Sequence, residues 1–232
     1  MLILCLVLVS GLADVDKDYL LGKFDPASDA RFTKLRPEHT SGAATGGYLR
    51  KETYDAFVTM ADVAKKEGVF LKIISATRNF ESQKQIWENK WNGKVRVEGK
   101  DLSTLKNKEE RARIILRYSS MPGSSRHHWG TDMDLNSLEN SYFASGDGLK
   151  TYQWLTSHAS EYGFCQPYTS KKTGRTGYEE EKWHWSYLPL SKPLLDAYIK
   201  IIHNDDITGF KGCETAAAVK IVEEYVRGIS CK

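Results

Sequence analysis

A chain of 232 residues, 41% of them hydrophobic and 27% charged, can bury one good-sized core or two small ones, and a single decorated domain is expected. Thirty-three Lys and Arg against thirty Asp and Glu leave a net charge of +3, spread along the chain, which excludes a dedicated nucleic-acid binder. An aromatic content of 11% excludes disorder, no stretch approaches the roughly 20 apolar residues of a membrane span, and with six His and four Cys any metal site must be sparse.

Residues 1–13 carry no charge, run apolar from Leu2 to Val9 and end on the small residues Ser10, Gly11 and Ala13. They read as a secretory signal peptide cleaved after Ala13, so the protein is expected to be exported to the periplasm or cell envelope. The bulky Leu4 argues against a lipid anchor on Cys5. Removal of the signal leaves Cys165, Cys213 and Cys231, an odd count. In an oxidising compartment the expected bridge is Cys213 with Cys231, across a segment that reads as a helix, against three buried thiols otherwise.

Residues 14–47, with Pro26, Pro37 and the run Ser41 to Gly47, read as an irregular N-terminal arm wrapped over the domain formed by residues 48–232. Within that domain Lys51 to Glu67 has Tyr54, Phe57, Val58 and Ala61 at helical spacing and stops at Gly68. Phe70 to Ser75 reads as a strand. Phe80 to Trp91 and Ser103 to Tyr118 follow as helices, Trp129 to Leu135 as a strand, and Leu149 to Tyr162 as a helix. Two further strands, Gly163 to Tyr168 and Trp183 to Tyr187, flank a polar loop, Thr169 to Gly177, whose Lys171, Lys172 and Arg175 suit either contact with anionic polymers or simple solvation. Ser191 to His203 and Cys213 to Arg227 close the chain as amphipathic C-terminal helices, and the mixture is that of an α+β fold.

Chemistry concentrates in Ser125-Arg126-His127-His128-Trp129-Gly130-Thr131-Asp132-Met133-Asp134. On an extended chain Asp132 and Asp134 project from the same face, and Gly130 lets the preceding loop turn back to bring His127 to that face. A second group, Glu181-Lys182-Trp183-His184, has a carboxylate three residues before a histidine. A zinc hydrolase needs three protein ligands, an open position for water and a carboxylate to take the water's proton. His127, Asp134 and His184 as ligands with Glu181 as base fit that requirement. Histidines in aromatic-rich sequence also serve as hydrogen-bonded core residues, and spacing alone leaves both readings open.

The pattern Ser125-x-His127-x-x-Gly130-x-x-x-Asp134, followed about fifty residues later by Glu181-x-Trp183-His184, resembles the zinc D-alanyl-D-alanine carboxypeptidases of the VanY type. That superfamily also contains lysostaphin-type peptidases and the zinc domain of hedgehog proteins. Ile74 to Gln83 resembles the family's Ser-Gly-Tyr-Arg-Ser segment with its later Gln; Pro122-Gly123, Tyr162-Gly163-Phe164 and Thr176-Gly177-Tyr178 come in the family's order, and the similarity runs from about Tyr48 to Tyr187. The resemblance implies a small antiparallel sheet carrying a Zn2+ site and flanked by helices, with His127, Asp134 and His184 as ligands and Glu181 as catalytic base. It implies that Arg78, Gln83 and Ser125 hold the substrate, Arg78 pairing with a terminal carboxylate.

The implied activity is a secreted, monomeric metallopeptidase removing the terminal D-alanine of peptidoglycan stem peptides. L,D-carboxypeptidase or cell-wall endopeptidase cleavage, or a non-catalytic zinc module that binds a wall or protein partner, are the alternatives on the same scaffold. Two departures stand out. Asp132 occupies a position where the family usually has Ala, so it is either a partner orienting a ligand or a solvated charge at the cleft rim. Ala76-Thr77 replaces the family's Gly-Tyr. His128, on the wrong parity for a ligand, reads as a packing or surface residue, and His39, His158 and His203 as structural or exposed.

Overall fold

The computed structural model describes residues 15–231. The expected signal peptide, residues 1–13, lies outside them. Among the described residues six strands form two antiparallel sheets. A two-stranded ribbon pairs β1 (Phe32–Lys34) with β2 (Tyr48–Arg50), and a four-stranded sheet has the order β3 (Ile73–Ser75), β4 (Asp132–Leu135), β6 (His184–Tyr187), β5 (Phe164–Cys165). The α-helices are α1 (Lys17–Leu20), α2 (Lys51–Lys66), α3 (Phe80–Trp91), α4 (Lys108–Ile115), α5 (Gly146–His158) and α6 (Leu188–Ile201). This is the expected α+β architecture, a small antiparallel sheet flanked by helices.

The larger sheet divides its two faces between packing and chemistry. On β4, Met133 and Leu135 point into a core with Ile73, Trp185 and the Tyr54, Phe57, Met60, Ala61 and Ala64 stripe of α2. The alternate residues Asp132 and Asp134 point the other way, as strand periodicity requires. Pairing of β4 with β6 sets Asp132 opposite Ser186 and Asp134 opposite His184. A second core lies beyond this polar face, built on Trp87 and Trp91 of α3, Tyr168, Tyr178, Tyr198 and the C-terminal residues Ile221 to Ile229.

Several boundaries differ from the sequence reading, each for a local reason. Asn107 accepts a hydrogen bond from the Glu110 amide and so starts α4 late, while the preceding Leu102–Thr104 forms a separate 3-10 turn capped by Asp101. Phe70 is exposed and lies outside β3. Trp129 belongs to a 3-10 turn, Arg126–Trp129, that Gly130 ends at φ 73° before β4 begins. The segment 213–227 is not one amphipathic helix: it opens as a 3-10 turn, Cys213–Thr215, passes Lys220 at φ 54° and ends as a π-helix, Ile221–Val226. The adjacent pairs Ile221/Val222 and Tyr225/Val226 are all buried, a wider apolar face than one helical stripe of 3.6-residue period presents.

That break also corrects the disulfide. Cys213 is unpaired and packs half-buried against the core, whereas Cys231 bonds Cys165 of β5 across a Cα–Cα distance of 6.3 Å. The chain end reaches β5 because the Ser230 amide donates to the Pro167 carbonyl at 2.8 Å. Among the described residues no helix is long and apolar enough to cross a membrane.

Candidate metal centre and cleft

The turn Arg126–Trp129 aims His127 at β4. Its geometry is secured from α1: the Tyr19 hydroxyl donates to the Trp129 carbonyl at 2.7 Å and the Trp129 indole donates to the Leu20 carbonyl at 3.1 Å. His127 Nδ1 lies 2.9 Å from the Ala76 carbonyl, an acceptor only, so Nδ1 carries the proton and Nε2 offers its lone pair. That Nε2 is 3.4 Å from Asp134 Oδ1. Across the ladder His184 Nε2 donates to Asp132 Oδ1 at 3.0 Å, which turns Nδ1 toward the centre, 3.4 Å from Asp134 Oδ1. One donor atom from each of His127, Asp134 and His184 thus falls within 4.8 Å of the others.

These residues fit a zinc ion by their own chemistry. His127 Nε2 and Asp134 Oδ1 are buried with no hydrogen-bond partner, a costly arrangement unless a cation accepts both lone pairs. Glu181 Oε2 stands beside them, 3.2 Å from His184 Nδ1. Burial raises the Glu181 pKa above the ordinary carboxylate value, against the pull of His184, which makes it a stronger base. Burial also pushes Asp134 and Asp132 up, but His127 together with His184 and Arg78 holds Asp134 below the usual range, and Arg126 with His184 does the same for Asp132. Burial lowers His127, whereas for His184 it is outweighed by Asp132, Glu181 and Asp134, so that with protons alone the pKa of His184 rises to about 9. Metal and proton therefore compete for the same nitrogen.

The centre opens into a cleft of about 690 Å³ that also receives Arg78, Gln83 and Ser125. Arg78, between β3 and α3, donates from Nη1 to Ser75 Oγ at 2.6 Å and lies 3.7 Å from Asp134 Oδ2, while its Nε has no partner. Gln83 is clamped through Nε2 to the Ser120 carbonyl at 2.8 Å, which leaves its buried Oε1 unpartnered; Ser125 Oγ is likewise buried and unpartnered. All seven site residues expected from sequence therefore line one cleft.

Sequence reasoning passed over others that line it. Arg126 sits between two motif residues, and that adjacency was the available signal. Tyr168 stands edge-on to His184 with ring centroids 4.8 Å apart and is backed by Tyr178 at 4.9 Å, through a loop in which no local pattern points at the site. Lys90, one helical face along from Gln83, adds a cation bonded to Ser119 Oγ. Among the unresolved expectations, Asp132 is buried rather than at the rim, and His128 is a packing residue that accepts from the Gly123 amide and donates to the Arg78 carbonyl. Arg175 spends its guanidinium on the Thr169 and Gly228 carbonyls and Lys171 pairs with Glu179, while Lys172 is exposed to solvent. His39, His158 and His203 do not line the cleft.

Two histidines and an aspartate converging on one point, with a glutamate alongside and a cleft in front, are the arrangement a metal-dependent hydrolase uses. The chain belongs to the VanY family: residues 46–190 match the family model described as D-alanyl-D-alanine carboxypeptidase. YodJ of Bacillus subtilis (strain 168) is 31% identical over 211 residues, covering 85% of this chain and 64% of that protein. The LdcB LD-carboxypeptidase superposes with a TM-score of 0.52 at 24% identity, over 88% of this chain and 81% of that one. A VanY D,D-pentapeptidase solved in complex with Zn(II) superposes with a TM-score of 0.50 at 22% identity, over 72% of this chain and 89% of that one. The chain spans less than two thirds of the length of the curated relatives it matches.

Proposed function

We propose that this protein is an exported zinc metallopeptidase that hydrolyses the terminal D-alanyl-D-alanine bond of peptidoglycan stem peptides. The observation that carries the reading is the meeting of His127 Nε2, Asp134 Oδ1 and His184 Nδ1 beside the Glu181 carboxylate, in a cleft that also holds an arginine. The family's description supports this choice of bond, and the zinc-bound neighbour supports the metal. The Cys165–Cys231 disulfide supports export, because such bonds persist in oxidising compartments.

His127, Asp134 and His184 would hold the ion, which supplies a water of pKa about 7 and Lewis-acid polarisation of the scissile carbonyl. Glu181, made more basic by burial, takes the proton of the attacking water and passes it to the leaving amine. Arg78 presents a planar guanidinium to the substrate's C-terminal carboxylate, and its Ser75 contact holds it at the metal end of the cleft. Gln83 Oε1, which can accept, and Ser125 Oγ, which can accept or donate, are both without partners and available to hydrogen-bond the terminal residue. Tyr168 walls His184 and excludes water from that side.

The test is incubation of the zinc-loaded protein with a defined pentapeptide ending in D-Ala-D-Ala, with products read by mass. Loss of one alanine is the expected result. Cleavage only of the tetrapeptide would replace the reading with an L,D-carboxypeptidase, cleavage within the stem with an endopeptidase, and absence of turnover on all stem peptides with a binding module.

A further inference from the structure

Asp132 lies on the polar face of β4, two residues before the ligand Asp134, yet its position rules it out as a ligand. Oδ1 already accepts from Arg126 Nε at 2.9 Å and from His184 Nε2 at 3.0 Å, and Oδ2 accepts from the Thr131 hydroxyl at 2.6 Å. Its carboxylate is wholly buried and lies on the far side of the His184 ring from Nδ1, the nitrogen that faces Asp134 and Glu181. His184 is thereby gripped at both nitrogens by two carboxylates of one strand.

Arg126 makes this grip possible. A third carboxylate beside the centre would be repelled by Asp134 and Glu181 and would be costly to bury uncompensated. Arg126 neutralises it at 2.9 Å and is itself almost completely buried. Its Nη2 donates to Ser186 Oγ at 2.7 Å, Ser186 Oγ donates to Ser191 Oγ at 2.9 Å, and the guanidinium stacks 5.0 Å from the Trp129 ring. The carboxylate is therefore fixed from three directions: the adjoining Thr131, the turn that carries His127 and the neighbouring strand β6.

We infer that Asp132, held by Arg126, is a positioning residue for the metal: it fixes His184 in the Nε2-protonated tautomer, with Nδ1 turned to the ion, and raises the affinity of the site for zinc. The inference rests on the reading that His127, Asp134 and His184 bind zinc. A carboxylate that accepts the remote N–H of a ligating imidazole fixes the ring and makes the other nitrogen a better donor, and loss of such a partner typically costs 10- to 100-fold in metal affinity. His127 differs in kind, because its remote N–H goes to the neutral Ala76 carbonyl.

The test measures zinc affinity of the full-length protein by competition with a chromophoric chelator, without turnover. Asp132→Asn is expected to bind zinc at least tenfold more weakly than wild type while keeping the wild-type circular dichroism spectrum. Should the unpaired Arg126 prevent that variant from folding, the neutral pair Arg126→Met/Asp132→Leu removes both buried charges and is expected to show the same loss. Either folded variant binding zinc within about twofold of wild type overturns the inference. Imidazole 15N spectra of the zinc-loaded wild type are expected to show His184 protonated at Nε2, and coordination through Nε2 would equally overturn it. Absence of zinc binding by wild type would instead overturn the metal assignment beneath.

Discussion

Cys231→Ser opens the only disulfide among the described residues, and its cost follows from the chain it closes. Cys165 and Cys231 are 66 residues apart. Loop-closure entropy for a ring of that size amounts to about 4 kcal/mol at 25 °C, within the range of roughly 2–5 kcal/mol for removal of native bridges. For a domain of this size each kcal/mol moves Tm by about 2–4 °C, so the midpoint is expected to fall by roughly 10 °C. The loss falls on one region. The C-terminal segment props the 169–178 loop through Thr176 Oγ1 to the Glu224 carbonyl at 2.9 Å, Arg175 to the Gly228 carbonyl at 3.2 Å, and Tyr225 against Tyr178 at 5.2 Å. Tyr178 in turn backs Tyr168, which stands against His184. Thermal unfolding followed by circular dichroism, with and without reductant, makes the measurement. Reduced wild type and Cys231→Ser are expected to coincide well below oxidised wild type, with Cys213→Ser unchanged. A midpoint insensitive to reductant, or a large fall in Cys213→Ser, would refute the argument.

Other consequences are as direct. Glu181→Gln is expected to lower kcat by about 10²- to 10⁴-fold with zinc still at one per chain by elemental analysis, since the amide cannot accept the water's proton; loss of metal would make Glu181 a ligand instead. Arg78→Ala should reduce kcat/KM on a free-carboxylate peptide by about 10²-fold, roughly 2.7 kcal/mol of transition-state binding, and an unchanged value removes Arg78 from the carboxylate role. Gly130→Ala places a Cβ 2.3 Å from the Phe32 ring at a φ of 73°, so a loss of about 1–3 kcal/mol is expected in urea unfolding. His128 is buried neutral, its pKa pushed from the usual 6.5 down to about 3 by burial. The unfolded chain therefore takes up a proton below pH 6.5 that the native protein refuses until about pH 3. Stability is lost as pH falls through that window, about 2 kcal/mol between pH 7 and 5. His128→Gln should flatten that slope whatever its effect at pH 7, and an identical slope would exclude His128 as the source.

Much of the architecture was legible because local physics dictates it. Tyr54, Phe57, Ala61 and Ala64 recur at helical spacing and form the buried stripe of α2, which Gly68 ends at φ 72°. Asp132 and Asp134 share a face because strand side chains alternate, and Gly130 turns the chain because it tolerates positive φ. Helix and strand ends were less legible, since side-chain caps such as Asn107 and the tertiary pairing of Phe164 and Cys165 with β6 place them.

By itself the sequence determined the inventory: a sparse site, two short segments about fifty residues apart carrying two histidines, an aspartate and a glutamate, and an arginine-bearing segment upstream. Tertiary structure decided what these groups touch. The register of β4 against β6 sets Asp134 opposite His184, and the Ala76 carbonyl and Asp132 select which imidazole nitrogen faces the centre. It also drew in Arg126 and Tyr168, and sent Cys231 to Cys165 rather than Cys213. The physical reason is common to all of these: periodicity and capping act over a few residues and can be read along the chain, whereas tautomers, ion pairs and disulfides depend on groups that only packing brings within about 3 Å.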